Sequence, residues 1–592
     1  MEYQERTIVC GKVHAGLVGQ KVVVAGWVHR RRDHGGVIFI DLRDRSGIVQ
    51  LICNPSFTTA LYMEHAQKLR SEFVIMAYGS VVKRDEAAIN AKLATGAVEI
   101  YVEKLDILAT SKPLPFQLDE AESVDEDLRL RYRYLDLRRP EMHQKIKMRH
   151  EVIFAIRQFL NNKEFYEIET PILSKSTPEG ARDFLVPSRL SPGFFYALPQ
   201  SPQVYKQLLM ASGMERYFQI ARCFRDEDLR ANRQPEFTQL DIEMSFISEK
   251  DVQNLSEALM KHLWKQFLSV DLPDVFPRYS YDEVFGTYGS DKPDMRFELL
   301  INDFTPLFEK SSLGFIQKTL QAGGKVGGLV VKNKSFTRSE LEWWVSFVTK
   351  SLGAQGLLYV RFDEQGKADS PVAKFLPEDF FDQAKRIYKD LTVHDTIFLA
   401  AGKFEEAWSV LGKVRLELGK KLQLIDTSLW KMFWVTDFPM FEWDAEGKKW
   451  QAMHHPFTSP EKGWEQKERG DVRARAYDLV CNGEELGGGS IRIFDAETQA
   501  KVFEVLGMNK EVAEYKFGFL LQAQDFGFPP HGGLAFGIDR LIMLFTGTES
   551  IREVIPFPKN QRGICPLMDT PSSVDEIQLK ELQIKSTAKV QK

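Results

Sequence analysis

The 592-residue chain is poor in cysteine: Cys10, Cys53, Cys223, Cys481 and Cys565 are far apart, and no CxxC pair occurs. Such a set excludes a disulfide framework and a cysteine-built zinc site, and it suits a reducing compartment. No uncharged apolar stretch approaches 20 residues, so no membrane span is expected. The opening, MEYQERTIVC, has neither the basic nor the apolar region of a secretory signal, and a cytoplasmic protein is expected. Positive charge is not in excess. Lys+Arg number 78 against 83 Asp+Glu, for a formal net charge of −5, which excludes a globally basic nucleic-acid binder but not a local basic patch. Internal repeats and low-complexity tracts are absent. Hydrophobic residues make up 43% and charged residues 27%, enough for packed cores. The length suits three or four domains at about 150 residues each.

The first part reads as β-structure. Residues 21–28 (KVVVAGWV), 36–42 (GVIFIDL), 47–52 (GIVQLI), 72–82 (EFVIMAYGSVV) and 98–108 are β-branched or aromatic runs separated by turn residues. Five short strands suit a small closed barrel such as an OB-fold, although any small barrel fits the pattern. Residues 21–50 carry six Lys/Arg against three Asp, a local positive excess on a negative chain. Residues 111–128, acidic and proline-containing, read as a linker. An Arg- and Tyr-dense stretch, RLRYRYLDLRRP, follows at 129–140, and then a helical apolar stripe at Val152, Ile153, Ile156, Phe159 and Leu160. Gly, Asp and Pro at 286–300 mark a second boundary. From there to about 425 the chain reads as an inserted domain without chemical motifs, and the polar stretch after 571 as a loosely ordered tail.

Common nucleotide signatures are missing. There is no GxxxxGK[ST] loop, no GxGxxG after a strand, and nothing like HxGH or KMSKS. Three other segments carry chemistry. Residues 165–173 (FYEIETPIL) form a strand after the long helix, ending at Pro171. Residues 221–243 (ARCFRDEDLRANRQPEFTQLDIE) read as two strands around a charged loop. Arg225 and Glu227 share one face of the first, and Phe237 and Gln239 lie on the second. An arginine fork binds phosphate or carboxylate, and a Phe face can stack a base. Residues 532–544 (GGLAFGIDRLIML) form a glycine-rich strand turning into a helix that opens with Asp539 and Arg540. Alone, each also reads as ordinary structure: an edge strand, a hairpin with surface ion pairs, a packing contact.

Together and in this order, the three segments resemble the three motifs of class II aminoacyl-tRNA synthetases. RYRYLDLRRP is similar to the subclass that joins the aspartate, asparagine and lysine enzymes behind an N-terminal OB-fold. TPEGARDFLVP (177–187), LPQSPQVYKQLLM (198–210), MHHPFTSP (453–460) and ELGGGSIR (485–492) resemble the bacterial type of aspartyl-tRNA synthetase. The resemblance spans essentially the whole chain. It implies an α+β multidomain protein with an OB-fold anticodon-binding domain at 1–112 and a hinge at 113–144. A catalytic domain with an antiparallel sheet flanked by helices would occupy 145–289 and 426–570, split by an α/β GAD-like insertion at 290–425, with a tail at 571–592.

The resemblance also assigns roles. Arg492, supported by Lys206, would fork the side-chain carboxylate of L-aspartate, and Asp241 would hold these cations and reject an amide. Asparagine would leave buried charges unpaired. Ser201, Gln203 and Glu179, the last in a mobile loop, would surround the ammonium, and His454 would touch the aspartate. A metal role for the His454–His455 pair lacks a third ligand at useful spacing. ATP would lie on the hairpin. Arg225 would hold its α-phosphate, Phe237 would stack on adenine, and Arg540 would cover the other face and reach the γ-phosphate. Asp226, Glu227, Gln234, Glu485, Gly537, Ile538 and Asp539 would complete the ATP site, and Asp478 and Glu485 would hold Mg2+. Arg32, Phe39 and Gln50 would read the anticodon. His34 and Ala88 resemble the relaxed type, which charges both tRNA(Asp) and tRNA(Asn), the latter for a separate amidotransferase. A strict tRNA(Asp) enzyme is the alternative. An aspartate-activating amide ligase and a non-catalytic tRNA-binding paralogue are more remote, since the N-terminal barrel and all four site cations are present. A homodimer through the first motif is implied.

Overall fold

Alternating burial along valine- and isoleucine-rich runs builds the N-terminal barrel. The computed structural model describes residues 5–177, 182–227 and 233–587. Its first strands, β1 (Lys21–His34), β2 (Val37–Asp44), β3 (Gly47–Cys53), β4 (Val74–Lys83) and β5 (Val98–Ala109), close in the order β1-β2-β3-β5-β4. Val22, Val24, Ile38, Ile40, Leu42 and Leu51 are buried inside, so the alternate residues of each strand face outward. β1 runs well past the KVVVAGWV segment. Pairing with β2 carries it through the arginine run to His34, past a bulge between Val28 and Arg30. A partner strand here outweighs the polar composition. The register sets Arg32 opposite Phe39 and Asp41 opposite Gln50, which puts all four on one outer face.

The chain forms two compact units, Met1–Lys147 with Arg552–Ser572, and Met148–Ile551 with Ser573–Lys592. In the first, the segment expected as a linker folds into short helical turns at Leu118–Ser123, Glu126–Arg131 and Arg133–Asp136. Arg133 is buried, pairs with Asp136, and donates to the carbonyls of Arg552, Ile555 and Pro556. The arginine-dense stretch therefore works as packing around a satisfied cation.

The second unit is built on an eight-stranded sheet. Its order is Arg278–Ser280, Met432–Thr436, Ala476–Cys481, Glu484–Ile491, His531–Gly537, Glu236–Ser245, Arg216–Phe224 and Tyr166–Glu167. The central six strands are antiparallel and the two outermost pairings are parallel. Strands far apart in sequence are neighbours here: the triple-glycine strand Glu484–Ile491 lies one strand from the hairpin strand Glu236–Ser245. Between residues 300 and 402 a separate five-stranded sheet forms, ordered Ile301–Asp303, Lys325–Val331, Thr396–Gly402, Leu358–Phe362, Ala368–Asp369. The helix Phe404–Lys421 packs against it. The polar tail contains a helix, Glu576–Glu581, whose Glu581 pairs with Arg189. Among the described residues no helix is long and apolar enough to cross a membrane, and all five cysteines are buried and unbridged.

Candidate active site

Four central strands and the helix Gln203–Ala211 converge on a cavity of about 230 Å³, lined by Ser201, Gln203, Lys206, Arg225, Asp241, His454, His455, Asp478, Glu485 and Arg492 among others. Its floor is a cross-braced set of buried charges. Arg492 Nε donates to Glu243 Oε1 at 2.9 Å and its Nη2 to Glu243 Oε2 at 3.2 Å. Lys206 Nζ sits between two carboxylates, 3.1 Å from Asp241 and 3.3 Å from Glu243. Arg492 is thus held by Glu243, whereas the sequence had given both cations to Asp241. Glu243 lies two residues on, and the period of a strand puts it on the same face.

The two carboxyls are shifted in opposite directions. Arg492 and Lys206 overcome burial and hold Glu243 down at about 2. Burial pushes the Asp241 carboxyl up, against the pull of Lys206, and its Oδ2 has no hydrogen-bond partner among the described residues. Two cations, Lys206 and Arg492, therefore share one firmly ionised carboxylate at the floor of the cavity.

Arg492 Nη1 lies 2.5 Å from His455 Nε2 and 2.6 Å from Ser490 Oγ. On its other side His455 Nδ1 faces the Phe457 backbone N–H at 3.2 Å, so both ring nitrogens lie opposite donors. Burial and the neighbouring Arg492 keep His455 well below its usual range, hence neutral. His454 is neutral too, pushed down to about 4 by burial. Its ring packs on Phe438, and its Nδ1 is buried without a hydrogen-bond partner among the described residues. Sequence reasoning missed His455, Ser490 and Glu243. Adjacency and strand period were the available signals.

A second cavity of about 250 Å³ shares Arg225, Gln239, Glu485 and Ala535 with the first, and adds Glu227, Arg233, Gln234, Phe237, Lys292, Gly537, Asp539 and Arg540. The Arg225 guanidinium lies 5.1 Å from the Phe237 ring centre, and Glu227 pairs with Arg233 at 2.5 Å. Arg540 donates to the Glu485 carbonyl and lies 3.5 Å from Glu484. The Asp539 carboxylate is already committed, to the backbone N–H of Thr238 and to Arg149 on the long helix. It ties the hairpin and the glycine-rich segment to the long helix, and Ile538 is buried, so only the backbone of these two residues is left for a ligand. Asp226 is bridged through its backbone to Arg182. Lys292, 3.3 Å from Glu485, comes from the stretch read as devoid of chemistry, and no local signal marks it. Glu179 lies outside the described residues.

Asp478 and Glu485 stand on neighbouring strands. Burial and the Glu485 carboxylate press the Asp478 carboxyl well above its usual range. Opposite it, Gly488 keeps the space open, since a Cβ there would meet Asp478 Oδ1 at 2.3 Å. Glu485 itself is held low by Arg540 and Lys292, and two carboxylates on neighbouring strands beside an uncrowded notch fit a hard divalent cation. No group of three His, Cys, Asp or Glu that could hold a metal occurs among the described residues, so ligand oxygens would have to complete the shell.

On the barrel, Arg32 Nη2 pairs with Asp41 at 2.9 Å, Gln50 Nε2 donates to Glu99 at 3.0 Å, and His34 meets Phe39 edge-on at 5.8 Å. Ala88 sits on the short turn Glu86–Ala88.

The family model described as "tRNA synthetases class II (D, K and N)" matches residues 125–561, and "OB-fold nucleic acid binding domain" matches 22–108. The chain belongs to the class II tRNA synthetases of the D, K and N group. Within that group, it is 49% identical to the aspartate–tRNA(Asp/Asn) ligase of Caldanaerobacter subterraneus subsp. tengcongensis over 98% of both chains, and 49% identical to that of Aquifex aeolicus over the same shares. It is 47% identical to the aspartate–tRNA ligase of Bacillus licheniformis over 99% of both. The fold matches asparaginyl-tRNA synthetase from Pyrococcus horikoshii, solved with asparaginyl-adenylate, at a TM-score of 0.59 and 20% identity, covering 94% of this chain and 98% of that one.

Proposed function

We propose that the protein joins L-aspartate to tRNA at the expense of ATP, through aspartyl-adenylate. The observation that carries this reading is the pair of buried cations, Lys206 and Arg492, braced by Glu243 at the end of a small cavity. A substrate carboxylate completes that set, whereas an amide leaves a buried guanidinium without its acceptor. The unpartnered Asp241 Oδ2 suits the substrate ammonium, and Ser201, Gln203, His454 and Glu179 are assigned around it. Arg225, common to both cavities, is placed to hold the α-carboxylate against the α-phosphate. The carboxylate oxygen attacks phosphorus, pyrophosphate leaves, and the terminal ribose hydroxyl of tRNA then attacks the adenylate carbonyl. No protein nucleophile is needed, and positioning with charge stabilisation does the work. Phe237 and Arg540 are assigned to the adenine and γ-phosphate, with Asp226, Glu227, Gln234 and the backbone of 537–539 along the nucleotide. Asp478 and Glu485 would hold Mg2+, which neutralises phosphate charge when bound.

The barrel face of Arg32, Phe39 and Gln50 is assigned to the anticodon, with His34 and Ala88 permitting both tRNA(Asp) and tRNA(Asn). Relatives bearing the double-specificity name support this. Labelled aspartate with separate tRNA(Asp) and tRNA(Asn) transcripts tests it: both are expected to be charged within about tenfold of each other in kcat/KM, which would call for an Asp-tRNA(Asn) amidotransferase in the same cell. Charging of tRNA(Asp) alone removes the relaxed reading and leaves the enzyme. A homodimer is also proposed. Phe154, Tyr166, Ile172 and Leu173, on and after the long helix, expose apolar side chains to solvent. Phe154→Asp is expected to yield monomers by sedimentation, with charging activity lost. A dimer that survives Phe154→Asp unchanged rules out this face.

A further inference from the structure

Behind the barrel face lies a residue that no motif singles out. Arg84, just past the end of β4, is 5% exposed. Its Nε donates to the Val98 carbonyl at 3.1 Å and stands 3.6 Å from Glu99 Oε2. Nη1 donates to the Ala88 carbonyl at 3.5 Å, and Nη2 is buried with no hydrogen-bond partner among the described residues. Glu99, 8% exposed, accepts from Gln50 Nε2 at 3.0 Å. Gln50 Oε1 in turn faces Arg32 Nη2 at 3.5 Å, and Arg32 pairs with Asp41. One polar row thus runs from the loop that carries Ala88 to Asp41, across the face assigned to the anticodon.

The row has a direction. A carboxylate accepts and a guanidinium donates, so the Gln50 amide is fixed with nitrogen toward Glu99 and oxygen toward Arg32. Turned over, oxygen would face a carboxylate and nitrogen a guanidinium. One N–H and one lone pair remain, in a set order, for the edge of an unstacked base. The order is strongest while Glu99 is ionised. Burial pushes its carboxyl up, and the cation that pulls it back is Arg84, 3.6 Å away. Its second contact secures the Ala88 loop, which is also closed by Asn90 N–H to the Gly96 carbonyl and tied to β3 by Thr95 Oγ1 to the Ile48 carbonyl.

We propose that Arg84 is a positioning residue for tRNA selection: through Glu99 it sets the donor–acceptor order of Gln50, and through the Ala88 carbonyl it sets the loop that discriminates between tRNAs. This rests on the barrel's reading as the anticodon reader. The test compares Arg84→Gln, Arg84→Lys and Glu99→Gln in full-length protein. It measures aspartate-dependent ATP–pyrophosphate exchange and charging of tRNA(Asp), tRNA(Asn) and transcripts altered at each anticodon base in turn. Arg84→Gln is expected to raise the KM for both tRNAs about tenfold or more, the size of a lost charged hydrogen bond. It should also shrink the penalty for a change at one of the anticodon bases common to both tRNAs, and shift the tRNA(Asn):tRNA(Asp) ratio about threefold or more, with exchange within about twofold of the unsubstituted protein. Arg84→Lys restores part of the effect, because charge survives while the fork is lost. Glu99→Gln relaxes that same base but leaves the ratio unchanged. Unaltered KM and ratio in Arg84→Gln overturn the proposal, as does an equal loss of exchange and charging, which would mark a purely structural role. Failure of the unsubstituted protein to charge either tRNA would instead overturn the reading of the barrel and the proposal with it.

Discussion

Arg492→Leu abolishes aspartate-dependent ATP–pyrophosphate exchange, by roughly 10³-fold, while retention of tRNA on filters stays near that of the unsubstituted protein. The magnitude follows from the floor of the smaller cavity. Removing one partner of a buried ion pair costs about 3–5 kcal/mol, and here the loss falls on the interaction a substrate carboxylate would share. Glu243 is left with Lys206 alone, 3.3 Å away, and the pocket loses one of its buried cations. Arg492→Lys, which keeps the charge but not the fork, is expected to recover only a small part. Normal exchange in Arg492→Leu, or lost tRNA retention, would place amino-acid recognition elsewhere.

Glu243→Gln is the second large effect and ranks two carboxyls against each other. Glu243 is ionised, grips Arg492 with both oxygens and touches Lys206. Asp241 has a single contact to Lys206, and burial opposes its charge. Glu243→Gln is therefore expected to lower kcat/KM for aspartate in the exchange reaction about 10²-fold, with the KM for ATP little changed, because the guanidinium loses its fixed direction. Asp241→Asn is expected to cost less. The reverse ranking, measured on the same preparation, would return the bracing role to Asp241.

That ranking shows where sequence reasoning reached and where it stopped. The barrel was legible because its strands alternate cleanly, and the cavity residues Lys206, Asp241, His454 and Arg492 because they sit in motif-like strings. Glu243 was within reach of the two-residue period, as the last residue of the hairpin string, but nothing local set it above Asp241. Lys292 was not. It meets Glu485 across nearly two hundred residues, a proximity created by the sheet order and by no local pattern. Arg84 escaped for another reason: a buried arginine after a strand looks like packing until its hydrogen bonds are followed to Gln50. The extent of β1 was misjudged because strand length is set by the partner as well as by composition.

Arg225, Gln239, Glu485 and Ala535 form a wall common to both cavities. Two ligands that press on one set of side chains cannot bind as strangers. Whatever conformational freedom the first removes from Arg225 and Gln239, the second no longer has to remove. The coupling is reciprocal by thermodynamic necessity: the factor by which nucleotide changes the affinity for amino acid is the factor by which amino acid changes the affinity for nucleotide.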